Sequence, residues 1–119
     1  MVELLPINNQ KQWEEFLLAS AQVNFLQSWR WGEMQLTLKK PVFRLGVFDH
    51  GRLTGILQLI KVAAKRATYL ECPGGPLIDW SGEVHPWLFK ELKQFALGAG
   101  ASFIRIRPNI LPQDLGLRQ

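Results

Sequence analysis

The sequence predicts an α/β (α+β) protein whose mixed sheet contains an antiparallel meander. Apolar residues recur at helical spacing in segments that begin with cap residues. Three strand-like segments follow one another through tight turns between residues 42 and 72. The last strand follows a helix that itself follows a strand, which predicts a right-handed crossover and parallel pairing. The predicted order is β-α-α-β-β-β-α-β.

Periodicity and turn signals place each element along the chain. The strands are predicted at 2–7, 42–48, 53–64, 68–72 and 101–107, and the helices at 9–20, 29–39 and 84–99. With 119 residues the chain forms at most one domain, and its 47% hydrophobic content is too high for a disordered protein.

Local signals begin the first two helices. Asn9 and Gln12 resemble a capping box, and Ser28 is a second start signal. Gly32 directly follows Trp31 in the second helix, three residues after Trp29, at a place where glycine is about 1 kcal/mol less favourable than alanine. We therefore expect close packing at Gly32, or a ligand against the helix.

The strands and the third helix have signals of their own. Pro41 ends the second helix, and the segment 49–52 reads as a hairpin turn with Gly51 at its centre. Gly55 indicates a bulge in the long second strand of the meander. Gly98 and Gly100 end the third helix.

Positive charge is concentrated in the meander. The net charge is +4, and residues 39–66 contain seven Lys or Arg residues and one acid, Asp49. Such a region suits phosphates of a nucleotide, a nucleic acid or an anionic lipid. Solvated strand edges and turns explain the same charges without a ligand.

The sequence contains few other signals of a disulfide, a metal site or a membrane segment. The single cysteine, Cys72, excludes an internal disulfide and fits a reducing compartment; we expect a buried strand thiol there. The two histidines stand apart in the sequence, so no metal site is predicted. No run of 18 apolar residues and no signal peptide is visible.

The segment 69–79 reads Tyr-Leu-Glu-Cys-Pro-Gly-Gly-Pro-Leu-Ile-Asp. Its two prolines and two glycines stop a strand abruptly, which predicts bare backbone at the strand's C-terminal end. Ligands of α/β proteins usually bind at such ends. A plain tight turn between a strand and a helix is the other interpretation.

Three segments, taken together, resemble the N-terminal region of the Fem-type (FemABX) peptidyltransferases. They are 24–33 (Asn-Phe-Leu-Gln-Ser-Trp-Arg-Trp-Gly-Glu), 43–58 with its Gly51 turn, and 69–79. The resemblance implies an acetyltransferase-like (GNAT-like) fold. It also implies a bacterial, cytoplasmic aminoacyltransferase that moves an amino acid from aminoacyl-tRNA to the stem-peptide amine of a peptidoglycan precursor. A sugar-nucleotide or lipid-linked precursor would then be a partner, with peripheral contact to the inner face of the membrane.

The resemblance can be carried over residue by residue. Trp31 and Gly32 match the family's aromatic-glycine pair, whereas Gln35 stands at the position of its lysine. Glu71 replaces the usual aromatic residue and Gly74 the usual basic one. The implied substrate-binding residues are Trp31, Gln35, Glu71, Pro73, Gly74, Gly75 and Asp79. Asp79 is the single catalytic candidate, and an acid that caps the next segment is the competing interpretation.

The resemblance covers residues 1–108, the N-terminal portion of a first GNAT-like domain. Residues 109–119 are expected to begin a continuation, so the chain is expected to be a fragment that is inactive alone. No cofactor is expected beyond aminoacyl-tRNA as co-substrate. Two other functions are considered: a coenzyme-A-dependent N-acetyltransferase, which lacks its phosphate-binding loop here, and a non-catalytic binding module of GNAT-like fold.

Overall fold

A computed structural model of the protein describes residues 1–20, 24–82 and 84–108. Five strands and three helices follow in the predicted order. The strands are β1 (Val2–Pro6), β2 (Val42–Asp49), β3 (Arg52–Ala63), β4 (Thr68–Pro73) and β5 (Phe103–Arg107), and the helices are α1 (Gln10–Ala19), α2 (Trp29–Thr37) and α3 (Val84–Gly98). A 3-10 turn, Phe25–Gln27, precedes α2. The tail predicted at 109–119 lies outside the described residues.

The strands form one sheet in the order β1-β2-β3-β4-β5. Neighbouring strands are antiparallel except β4 and β5, which are parallel. The parallel pair confirms the predicted crossover through α3, because a helix must return the chain to the same end of the sheet.

The cap residues act as the sequence predicts. Asn9 Oδ1 accepts a hydrogen bond from the Gln12 N–H at 3.0 Å, and Ser28 Oγ accepts one from the Trp31 N–H at 3.1 Å. Helix α2 ends at Thr37, two residues before the predicted end, because the backbone of Lys39 takes a left-handed conformation with φ of 63°.

The turn between β2 and β3 has positive φ at both central residues, 52° at His50 and 80° at Gly51. This is the geometry that a two-residue hairpin favours. The predicted bulge is present beside Gly55: the register shifts after Val47, so Thr54 is the extra residue of β3.

The two faces of the sheet are covered by different helices. Leu45, Leu57 and Leu59 pack against α3 in the larger core. Ile56 packs against α1 in a second cluster that includes the buried Trp13. Among the described residues no helix is long and apolar enough to cross a membrane.

Candidate functional site

Strands β3 and β4 separate at the strand end that the sequence singles out. Ile60 pairs with Glu71, so continued antiparallel pairing would place Leu59 opposite Cys72 and then Gln58 opposite Pro73. The side-chain amide of Gln27 fills that position instead. Its Nε2 donates to the Gln58 carbonyl at 3.2 Å and to the Pro73 carbonyl at 2.8 Å, and its Oε1 accepts from the Gln58 N–H at 2.7 Å. The Gln27 side chain therefore supplies the hydrogen bonds that backbone pairing between β3 and β4 would otherwise make at this position.

Gln58 extends this contact into a buried network. Its side-chain Nε2 donates to the Ser28 carbonyl at 2.8 Å, and its Oε1 accepts from Arg44 Nε at 2.9 Å. Trp13 Nε1 donates to the Gln27 carbonyl at 2.7 Å. Gln27 and Gln58 are fully buried, so each bond avoids the cost of an unsatisfied polar group. The network fixes the segment before α2 against the strand end.

Arg44 lies between helix α2 and the sheet. Its guanidinium carbon is 3.6 Å from the centroid of the Trp29 ring, and its Nη2 donates to the Trp29 carbonyl at 2.8 Å. Burial lowers the pKa of Arg44, while Glu33 and Glu14 act in the opposite direction. A Cβ on Gly32 would collide with Gln58 Oε1, which confirms the predicted close packing at this glycine.

The chain turns sharply after β4 and then rejoins β3. Gly74 has φ of 71°, and the Gly75–Pro76 peptide bond is cis. Ile56 and Leu77 then exchange both backbone hydrogen bonds, at 3.1 and 2.8 Å. A Cβ on Gly74 would stand 2.5 Å from Asn24 Oδ1, and one on Gly75 would stand 2.7 Å from Gln27 Cδ. The absence of a side chain at Gly74 and Gly75 thus leaves space for the side chains of Asn24 and Gln27 to pack against the turn.

The prediction of bare backbone at this turn is wrong. Every residue from 73 to 78 is buried. The Gly74 amide donates to the Arg107 carbonyl at 2.8 Å, and the Leu77 amide donates to Ile56. Turn chemistry predicts the bend, but it does not reveal that Asn24 and Gln27 pack against it.

The other predicted site residues are divided between two faces of the sheet. Helix α2, on the side of α1, carries the half-buried Trp31 and the buried Gln35. Glu71 lies on β4, where its Oε1 is 3.1 Å from Arg107 Nε. Asp79 is exposed and lines a cavity of about 560 Å³ together with Val47 and Trp87, which belong to the α3 side. The structure therefore does not bring Asp79 together with Trp31 and Gln35.

Hydrogen bonds from Ser81 explain the lowered pKa of Asp79. Its Oδ1 accepts from the Ser81 hydroxyl at 2.6 Å and from the Ser81 N–H at 3.1 Å. These bonds hold the pKa of Asp79 below its ordinary value, so the carboxylate is ionised and is a weak base at neutral pH. The geometry agrees with an acid that shapes the loop before α3.

Cys72 is the expected buried thiol. It is fully buried in the larger core, and desolvation raises its pKa strongly. A thiol in this state is a poor nucleophile.

Sequence reasoning assigned no role to Gln27, Gln58, Asn24 or Arg44. A signal was present for Gln58, since it is one amide within the apolar run 56–60. A polar side chain at the centre of a buried strand needs partners, and this need identifies it as part of a network.

Comparison with known proteins decides the family. Residues 9–119 match the FemAB family, which is nearly the whole chain. The chain belongs to the FemAB family. This confirms the resemblance that the three sequence segments indicated.

Solved structures show the same fold. FemX superposes with a TM-score of 0.81 at 22% identity, over 94% of this chain and 29% of the FemX chain. The FemAB chain described here thus spans less than a third of FemX. The ribosomal-protein-alanine N-acetyltransferase from Brucella melitensis biovar Abortus 2308 superposes with a TM-score of 0.63 at 17% identity, over 96% of this chain and 84% of its own.

A transcriptional regulator from Bacillus halodurans C-125 also superposes with a TM-score of 0.63, at 12% identity, over 92% of this chain and 83% of its own. No curated protein matches the chain. The acetyltransferase likeness confirms a mixed α/β, partial GNAT-like fold.

Proposed function

We propose that this FemAB chain is the N-terminal portion of the first domain of an aminoacyltransferase. The enzyme would move an amino acid from aminoacyl-tRNA to the stem-peptide amine of a peptidoglycan precursor. The observation that carries the proposal is the FemAB match over residues 9–119, and the superposition on FemX supports it. A cytoplasmic location, with the inner face of the membrane nearby when the precursor is lipid-linked, follows from these substrates.

The proposed reaction is an acyl transfer. The ε-amine of a stem-peptide lysine attacks the ester carbonyl of aminoacyl-tRNA and forms an amide N–C bond. The ester C–O bond breaks, the amine loses a proton and the departing ribose oxygen gains one. Such a reaction depends mainly on positioning two large substrates and on stabilising the developing oxyanion.

The strand end supports this acyl transfer over one that uses coenzyme A. Acetyltransferases hold the coenzyme's pyrophosphate with successive free amides beside a helix N-terminus. Here Pro73 and Pro76 have no amide hydrogen, and the amides of Gly74 and Leu77 already donate within the chain.

The precursor is proposed to lie on the side of the sheet that carries α2. Trp31 and Glu71 keep part of their surface accessible there, whereas Gln35 is buried. Gly74 and Gly75 would act indirectly, because Asn24 and Gln27 already occupy their surfaces. Asp79 is proposed to shape the loop before α3.

One assay tests the proposed function. The full-length protein is incubated with charged tRNA and a lysine-containing precursor, and the product is measured by mass spectrometry. We expect the precursor to gain the mass of one aminoacyl residue only when charged tRNA is present. Acetyl transfer from acetyl coenzyme A, with no aminoacyl transfer, would overturn the proposal.

A further inference from the structure

A cavity opens at the edge of the sheet where strand β1 ends. Strand β1 pairs with β2 as far as Leu45, and Ile7 adds one backbone hydrogen bond to the Arg44 carbonyl at 2.9 Å. Strand β2 starts at Val42 and therefore extends past the end of β1. The cavity beside this stretch has a volume of about 470 Å³. This lies within the range of about 300–1,000 Å³ that is typical of small-molecule sites.

The walls of this cavity are mostly apolar. Ile7 and Leu45 are buried, whereas Pro6 and Asn8 are exposed and lie at the opening. Half-buried apolar side chains from β1, β2 and α3 complete the walls: Leu4, Val42, Phe43 and Phe95. The cavity can thus enclose an apolar group and still receive it from solvent.

Arg44 is the one charged residue among the described residues that line this cavity, which we call the Arg44 cavity. Its side chain is only 10% exposed. Nε and Nη2 donate to Gln58 Oε1 and to the Trp29 carbonyl, but Nη1 is 3.8 Å from Glu33 Oε1, which is too far for a hydrogen bond. Within the described part of the chain, Nη1 therefore has no hydrogen-bond acceptor.

The positive charge of Arg44 is incompletely balanced. The side chain of its ion-pair partner Glu33 is 52% exposed, so water screens the attraction. Desolvation is the largest influence on the pKa of Arg44 and lowers it, although Glu33 and Glu14 act in the opposite direction. The guanidinium stays protonated all the same. A buried cation thus borders apolar walls, where an anion would stabilise it.

We infer that the Arg44 cavity binds a small monocarboxylate with an apolar body, such as a fatty or aryl carboxylate. The carboxylate would accept a hydrogen bond from Arg44 Nη1, and the apolar body would lie against Ile7 and Leu45. A carboxylate carries the single charge that one guanidinium balances, and its two oxygens match the planar donors. A phosphate dianion would place additional charge against apolar walls.

The Arg44 cavity is separate from the turn after β4. Strands β1 and β5 are the opposite edges of the sheet. The cavity lies at the β1 edge, whereas the turn is joined to β5 through the hydrogen bond from the Gly74 amide to the Arg107 carbonyl. Carboxylate binding therefore does not require the proposed aminoacyl transfer.

Isothermal titration calorimetry of the full-length protein with octanoate tests the inference. Octan-1-ol and octylamine keep the alkyl chain and change the head group. We expect saturable octanoate binding that is at least about tenfold tighter than that of either probe, the discrimination that one charge-assisted hydrogen bond supplies. Val42→Trp fills the cavity and should weaken octanoate binding to a similar extent. Leu18→Trp, at an exposed position outside the cavity, should leave it unchanged.

A second pair of variants tests the role of Arg44 without replacing it, since its replacement would also break the network around Gln58. Glu33→Gln removes the carboxylate that competes for the guanidinium and should tighten octanoate binding about two- to threefold. Glu15→Gln removes the same charge from an exposed position of α1 and should have no effect. Thermal unfolding checks that each variant is folded.

Each contrary outcome is decisive. Equal affinities for octanoate and octan-1-ol would show an apolar cavity without carboxylate recognition and would overturn the inference. Absence of saturable octanoate binding, or an unchanged octanoate affinity in Val42→Trp or Glu33→Gln, would overturn it as well. Octanoate binding with no aminoacyl transfer would support the inference and remove the proposed function.

Discussion

Gln27 and Gln58 exchange hydrogen bonds at the point where strands β3 and β4 separate. The Gln58 N–H donates to Gln27 Oε1 at 2.7 Å, and Gln27 Nε2 donates back to the Gln58 carbonyl at 3.2 Å. The two residues are 31 positions apart in the chain. A side-chain amide here reproduces the donor and acceptor of a neighbouring strand.

Replacing Gln27 with leucine should destabilise the protein strongly. Leucine has nearly the same side-chain volume as glutamine. However, the backbone N–H of Gln58 and the backbone carbonyls of Gln58 and Pro73 would each lose a buried hydrogen-bond partner. We expect a loss of about 3 kcal/mol in the free energy of unfolding, because each unsatisfied buried group costs about 1–3 kcal/mol. Urea denaturation of the full-length protein measures it. Gln94→Leu on the exposed face of α3 is the control, and a similar effect in both variants would contradict this explanation.

Gly32→Ala should destabilise the protein although alanine is the better helix former. Its Cβ would collide with the side chains of Gln58 and Arg44, so the packing of α2 must shift. Overpacking of this kind costs about 1–3 kcal/mol, which outweighs the gain of about 1 kcal/mol in helix propensity.

Gly98→Ala is the matched control for that substitution. Gly98 is also helical, and a Cβ there meets no atom within 4 Å. We expect opposite signs in thermal unfolding, with a lower Tm for Gly32→Ala and an unchanged or higher Tm for Gly98→Ala. A higher Tm for both would show that α2 is not held against the sheet as described.

Ser81→Ala should raise the pKa of Asp79. The hydroxyl of Ser81 donates to Asp79 Oδ1, and this bond favours the ionised carboxylate. Because the folded pKa lies below the unfolded one, the associated stability is present at neutral pH and is lost as pH falls through the folded pKa. The effect on stability should be small, since the carboxylate is exposed.

An NMR titration of the Asp79 carboxyl measures this shift. Its midpoint should move up towards the ordinary aspartate range of about 3.9 in Ser81→Ala and stay low in Ser102→Ala, which changes an exposed serine elsewhere. An unchanged midpoint in Ser81→Ala would show that a group other than the Ser81 hydroxyl lowers the pKa of Asp79.

The thiol of Cys72 should resist alkylation in the folded protein. It is fully buried and its pKa is raised by desolvation, so little thiolate is present and little reagent reaches it. Treatment with iodoacetamide at about pH 8, followed by peptide mass spectrometry, should show modification at least about 100-fold slower than in urea. Rapid labelling in the folded state would contradict the burial of this strand.

Sequence signals that act over a few residues predicted most of the fold. Asn9 and Ser28 begin helices because their side chains cap nearby amides, and Gly51 forms a hairpin because it tolerates positive φ. The parallel pairing of β4 and β5 followed from the strand-helix-strand order of this part of the chain.

The site was harder to predict because it depends on contacts between distant segments. Pro73 to Pro76 contain the chemistry of a turn, but nothing local shows that Asn24 and Gln27 pack against it. Likewise, no spacing in the sequence shows that Asp79 faces α3. The prediction of exposed backbone failed for this reason.

The amide bridge at Gln27 also has a mechanical consequence. Gln27 lies directly before Ser28, the residue that begins α2, and its side chain holds both edges of the split between β3 and β4. We therefore expect a ligand that tilts α2 to strain the hydrogen bonds between Gln27 and the two strands. Widening of the split between β3 and β4 should strain the same bonds and act on the start of α2. Because the Gln27 side chain also packs against Gly75, we expect a displacement of α2 to change the Gly74–Gly75 turn as well.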